Sequence, residues 1–184
     1  FGGPVDHLTA LPVLEHYVRE NADQDLVIVS PDAGRVKVAE RFAQHLSDKN
    51  ADVAFINKRR PKGTQNVAIA KEVIGDIEGR LCILTDDMID TGGTICSAAE
   101  LLLERGAKEV WAMATHGVLS DPAVERLSNS PITRVVLTNT LPLAQDKMFD
   151  KVEVLSVAKI IADALSAVFD ETSVSELFNG ENQS

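Results

Sequence analysis

The stretch Asp86-Asp87-Met88-Ile89-Asp90-Thr91-Gly92-Gly93-Thr94 sets two adjacent carboxylates, and a third three residues on, in front of a glycine pair flanked by threonines. Gly92 and Gly93 carry no Cβ, so the backbone can curl there and aim successive N–H groups at one point. With the positive end of a following helix, such groups form a cradle for phosphate. Thr91 and Thr94 add hydroxyl donors, and one of them is expected to cap that helix. A helix N-terminus favours an anion by about 0.3–1 kcal/mol, and each charge-assisted N–H bond adds to that. The carboxylates do a different job. Asp86, Asp87 and Asp90 would repel a bare phosphate, but they accept hydrogen bonds from vicinal hydroxyls and can hold magnesium directly or through water. The stretch therefore points to a sugar phosphate with magnesium. Acids before a glycine turn also occur as ordinary capping, but the full nine-residue spacing is far more specific than a lone glycine pair.

A strand and a helix must hold this stretch in place, and the flanking sequence predicts both. Leu81 to Thr85 is a compact apolar run that reads as a strand, and Ile95 to Arg105 has helical spacing closed by Gly106. The same alternation runs through the chain. Strands are predicted at Leu26 to Ser30, Val53 to Ile56, Val110 to Ala114, Val135 to Thr138 and Val152 to Leu155. Helices are predicted at Val36 to Leu46, Ala123 to Leu127 and Ala158 to Phe169. Strand followed by helix, repeated, implies an α/β doubly wound, mainly parallel sheet with helices on both faces. Ligands in such sheets bind at the carboxyl ends of strands, near the switch in strand order. Residues 58–79 break the rhythm and read as a mobile arm, its hairpin or helical content left open.

Bulk composition narrows the function. The chain has 184 residues, within reach of one domain spanning 1–184, and 45% of them are hydrophobic, enough for a sizeable core. A formal net charge of −10 disfavours nucleic acid as a partner. No apolar run reaches the roughly 18 residues of a membrane span, so no membrane partner is expected. Cys82 and Cys96 make neither a disulfide framework nor a metal pair, and buried reduced thiols suit a cytoplasmic location. An acidic chain that binds an anion must concentrate its cations. Lys58-Arg59-Arg60-Pro61 is the place where it does so. These cations are either a solvated charge run or an electropositive lid that closes over phosphates, where fixed charge would stabilise a diphosphoryl group in transfer.

The stretch DDMIDTGGT resembles the phosphoribosyl pyrophosphate loop shared by type I phosphoribosyltransferases and ribose-phosphate pyrophosphokinases. The resemblance implies that Asp90, Thr91, Gly92, Gly93 and Thr94 wrap the 5-phosphate of ribose 5-phosphate while Asp86 and Asp87 contact the ribose. KRRP resembles the catalytic flexible loop of the pyrophosphokinases, which implies Lys58 as the active-site lysine and Arg60 as a substrate-binding arginine. The sequence after it, Lys62-Gly63-Thr64-Gln65-Asn66-Val67, is about two residues longer than the family's pattern, which leaves the arm's path open. Ser30-Pro31-Asp32-Ala33-Gly34 is similar to the family's diphosphate-facing loop, which implies Asp32 as a magnesium ligand. Arg35 and Lys37 begin the next helix and receive no assignment. His116, at a strand's end, reads as a structural histidine more readily than as a base. Ser173 to Phe178 is similar to a segment that contributes to a regulatory site in hexameric members, which implies a homo-oligomer.

The resemblance runs from Phe1 to Phe178 and implies diphosphoryl transfer from ATP to the anomeric hydroxyl of ribose 5-phosphate. The family's ATP pocket lies in an N-terminal half of similar fold, so the chain, which opens at Phe1 without Met, is expected to be the C-terminal half and inactive alone. Residues 170–184 are expected to form a tail. Two alternatives stand beside this: a type I phosphoribosyltransferase, whose base-selecting hood is not evident, and a non-catalytic associated protein, in which Lys58 would have no purpose.

Overall fold

The computed structural model describes residues 2–3, 5–23, 25–59 and 70–178. In chain order the elements are α1 (Leu11–Asn21), β1 (Leu26–Ser30), α2 (Val36–His45), β2 (Asp52–Arg59), β3 (Ala70–Ile74), β4 (Leu81–Ile89), α3 (Gly93–Glu104), β5 (Glu109–Gly117), α4 (Ala123–Asn129), β6 (Arg134–Thr138), β7 (Val152–Leu155) and α5 (Ala158–Phe169). Short 3₁₀ turns fill several connections, among them Ala33–Arg35 between β1 and α2.

All five residues of β1 are buried, because both faces of the sheet are covered. Side chains alternate across a strand. Val27 and Val29 accordingly join one core with Leu84, Ala112, Leu137 and the inner sides of α3 and α4. Leu26 and Ile28 join the other, with Ile83, Met113, Val136 and the inner sides of α1 and α2. The doubly wound expectation is met.

The strand order is β3-β2-β1-β4-β5-β6-β7. Every neighbouring pair is parallel except β2 with β3, which is antiparallel. From β1 the chain steps outward to β2, then returns past β1 to place β4 on its other side. The switch in strand order thus falls between β1 and β4, where Val29 pairs with Leu84. The loop after β1 leads to α2 on one face, and the loop after β4 leads to α3 on the other, so a crevice opens between them.

Several boundaries differ from the sequence reading. β4 runs on through Asp86, Asp87 and Met88 to Ile89, because β5 keeps offering partners as far as Gly117. β2 continues to Arg59, so Lys58 and Arg59 lie on a strand. Of the arm's remaining residues, 60–69 lie outside the described part of the chain, and β3 pairs back on β2 as an edge hairpin. The sequence reading left α1 unassigned. Pro12, which reads as a breaker, sits in its first turn, where a missing N–H costs no helical bond. Gly106 closes α3 as expected: at φ +93° its amide reaches Leu103 and that of Ala107 reaches Leu102. Among the described residues no helix is long and apolar enough to cross a membrane.

Gly75 carries the chain out of β3 at φ +124°, and a Cβ there would lie 2.6 Å from Ala54 Cβ and 2.8 Å from the Val53 carbonyl oxygen. Gly75→Ala combines a backbone conformation reserved for glycine with overpacking against β2, so a loss of about 2–4 kcal/mol is expected. Urea unfolding checks this, and an unshifted midpoint would show that the hairpin is not seated as described.

Candidate active site

The carboxyl ends of β1 and β4 lie side by side, and each brings acids to the crevice. After β1 the Ser30 hydroxyl donates to the Asp32 carbonyl oxygen at 2.6 Å, which fixes the entry to the turn. Asp32 then caps the 3₁₀ turn, its Oδ1 accepting from the Gly34 amide at 2.8 Å. That turn delivers Arg35 across the crevice, where its Nε lies 3.3 Å from Asp86 Oδ1 and its Nη2 donates to Asp87 Oδ2. The arginine left unassigned by sequence is therefore the group that joins the two strand ends. Its partners lie about fifty residues further along the chain, beyond any local pattern.

Asp86 and Asp87 sit on β4 itself and not on the turn after it. The Asp87 amide donates to Asp86 Oδ1, and the Met88 amide to Asp87 Oδ1, both at 2.8 Å. With Arg35, Thr85, Thr115 and His116 they line a cleft of about 290 Å³ whose far wall is residues 7–11. Burial first, and then the hydrogen bond its protonated form shares with Asp87, raise the Asp86 carboxyl to about 6 against the pull of the Asp87 amide and of Arg35. Burial pushes Asp87 up as well, but its bond with Asp86 and the Arg35 charge outweigh that and hold it below the ordinary range.

The turn that follows is open. Asp90, Thr91 and Thr94 are exposed, whereas Gly92 is buried at φ +73° and serves as the N-cap of α3. Neither threonine caps the helix; the left-handed glycine makes the entry with no side-chain bond. Among the described residues nothing accepts from the amides of Thr91, Gly92, Gly93 or Thr94. α4 backs the turn, and Arg126 Nη1 donates to the Thr91 carbonyl oxygen at 3.1 Å, a contact no sequence motif announced.

His116 is half-buried in the cleft wall, its Nδ1 2.8 Å from the Thr140 hydroxyl, which suits the structural reading of that residue. Lys58 lies at the end of β2, one strand beyond β1 and on the same sheet edge, its backbone paired with Lys71. Arg60 lies outside the described residues. The structure thus brings Asp32, Asp86, Asp87 and the Asp90–Thr94 turn to one edge, with Lys58 on its flank.

A carboxyl raised by folding binds its proton more tightly in the folded state, so its contribution to stability falls as pH climbs from about 4 to above 6. Asp86→Asn removes that loss. Its unfolding temperature at pH 8 is expected to exceed the wild type's by a few degrees, on the order of 1 kcal/mol after solvent screening, with no gain near pH 4. Calorimetry at the two pH values checks this, and a variant less stable at pH 8 would contradict it.

Comparison with known proteins gives this geometry a family. The phosphoribosyl synthetase-associated domain family matches residues 49–179. A ribose-phosphate pyrophosphokinase of Streptomyces coelicolor is 52% identical over 180 residues, 97% of this chain and 55% of the relative. One from Mycobacterium tuberculosis is 47% identical over 182 residues, 98% of this chain and 55% of the relative. The crystal structure of phosphoribosylpyrophosphate synthetase from Mycobacterium smegmatis superposes with a TM-score of 0.83 at 50% identity, covering 93% of this chain and 54% of that one. The chain therefore spans about half the length of the relatives it matches. From a sheet whose central strand ends carry these acids and this open turn, and from the match over residues 49–179, the chain belongs to the phosphoribosyl synthetase-associated domain family.

Proposed function

We propose that this chain provides the ribose 5-phosphate site of an enzyme that transfers a diphosphoryl group from ATP, giving phosphoribosyl pyrophosphate and AMP. One observation carries the reading: an open, amide-rich turn at the end of β4 lies beside a carboxylate pair at the switch point of the sheet. Amides of residues 90–94 take the phosphate, and Asp86 and Asp87 accept from ring hydroxyls, which orients the anomeric hydroxyl toward β1 and β2. Its oxygen bonds to the β-phosphorus of ATP as the bond from that phosphorus to the α-bridging oxygen breaks. AMP leaves with that oxygen, and the hydroxyl proton passes to solvent. Lys58, with Arg60 on sequence grounds, holds the charge that spreads over the transferring oxygens.

Magnesium suits the donor set. Among the described residues no group of three or more acids, histidines or cysteines could hold a metal. Magnesium, however, keeps several waters and takes one or two carboxylates plus substrate phosphate oxygens. Asp32 would hold it, and the ion would supply charge neutralisation for the nucleotide phosphates. The whole protein is proposed to be a cytoplasmic homo-oligomer, a hexamer as in the family. The exposed apolar residues Ile161, Leu165, Val168 and Phe169 on α5 support association, and the free, buried Cys82 and Cys96 support a reducing compartment.

Calorimetric titration with ribose 5-phosphate, ribose, phosphoribosyl pyrophosphate and free nucleobases tests the reading. Ribose 5-phosphate is expected to bind at least tenfold tighter than ribose, nucleobases not at all, and the chain alone is expected to release no AMP from ATP. Nucleobase binding in the presence of phosphoribosyl pyrophosphate would favour a phosphoribosyltransferase. Rapid AMP release would overturn the requirement for a further half.

A further inference from the structure

The short helix α4 is built against the turn after β4. A Cβ on Gly92 would meet Leu127 Cγ at 3.5 Å and the Ala123 carbonyl oxygen at 3.7 Å, so helix and turn are in contact at that point. Ala123 and Leu127 are themselves fully buried. Lys151 Nζ ties down the other end of the helix by donating to the carbonyl oxygens of Leu127, Ser128 and Ser130 at 3.3, 2.7 and 2.7 Å. Arg126 therefore projects from a fixed support. Its Nη1 donates to the Thr91 carbonyl oxygen and lies 3.5 Å from where a Gly93 Cβ would sit.

A guanidinium has five N–H donors. The Thr91 carbonyl takes one, and among the described residues no carboxylate pairs with Arg126. By contrast Arg35, Arg80 and Arg134 all meet acids. A charged fork beside free amides has the geometry of an oxyanion clamp, since guanidinium binds phosphate oxygens in pairs where an ammonium acts as a point charge.

We infer that Arg126 is a phosphate-binding residue of the β4–α3 turn, contacting the phosphoryl end of the sugar phosphate while its bond to Thr91 fixes the turn. The inference rests on the sugar-phosphate reading above. It adds a side-chain cation to a site otherwise made of backbone amides and hydroxyls, and it makes α4 a wall of that site.

Titration of the 184-residue chain and its variants with ribose 5-phosphate and with inorganic phosphate, each over a series of KCl concentrations, tests it. Arg126→Gln is expected to weaken both ligands about tenfold or more and to flatten the dependence of log Kd on log salt. Arg126→Lys is expected to keep the salt dependence while recovering only part of the affinity. An unchanged Kd for ribose 5-phosphate in Arg126→Gln overturns the inference while leaving the sugar-phosphate reading intact. So does a weakened Kd with an unaltered salt slope, which would mean that Arg126 merely fastens the turn. Wild-type chain that binds neither ligand defeats both.

Discussion

The parallel pairing of β1 with β4 is the interaction on which the site depends. Because the chain winds outward in both directions from that pair, the loop leaving β1 turns to α2 on one face and the loop leaving β4 turns to α3 on the other. Two adjacent strands whose loops part in this way leave a crevice between the layers. The register Val29 to Leu84 then decides what lines it, because it sets the Asp32 turn level with the Asp86–Asp87 pair. A slip of one residue would reverse every side chain on β1 and break both cores at once, so the core that stabilises the sheet also fixes the site.

The electrostatics follow from placing acids there. Asp86 is charged with difficulty, since burial and its neighbour both favour the proton. Arg35 is the counterweight, spanning the crevice from the turn that Asp32 caps. The chain thus bears a stability cost at the point where a ligand's hydroxyls would otherwise supply the missing hydrogen bonds. Such a pattern is common at binding sites. An acidic protein could still attract an anion locally, since among the described residues the amides of the turn have no acceptor and Arg126 beside it meets no carboxylate.

Much of this was legible in the sequence, for reasons that can be assigned. The buried strands were readable because LVIVS and LCILT are covered on both faces and so lack polar alternation. The turn was readable because two glycines between a strand and a helix have few other uses. The length of β4 was not. Aspartate is a poor strand former, and only the continued pairing with β5 keeps Asp86 to Met88 extended. β3 was left open between hairpin and helix because it is a short, charged edge strand that departs from the strand–helix rhythm. Arg35 and Arg126 escaped because each acts on a partner far away in sequence, by 52 and 35 positions. Fold and backbone turn are encoded locally; the cations that tune the site are encoded by topology.

The entry to α3 shows why the difference matters for function. A threonine cap, as the sequence suggested, would have used one hydroxyl as an acceptor and satisfied one helix amide. Both groups would then be lost to a ligand. Gly92 achieves the same turn at φ +73°, a conformation that favours glycine, with no side-chain bond, while buried against Leu127 and Ala123. The hydroxyls of Thr91 and Thr94 and the first helix amides therefore all remain available on the exposed side. A residue with a side chain at position 92 would need the left-handed backbone, and a Cβ there would only reach ordinary contact with Leu127 and Ala123. The glycine is thus what allows the turn to be closely packed behind and open in front, and an anion could use it only in that state.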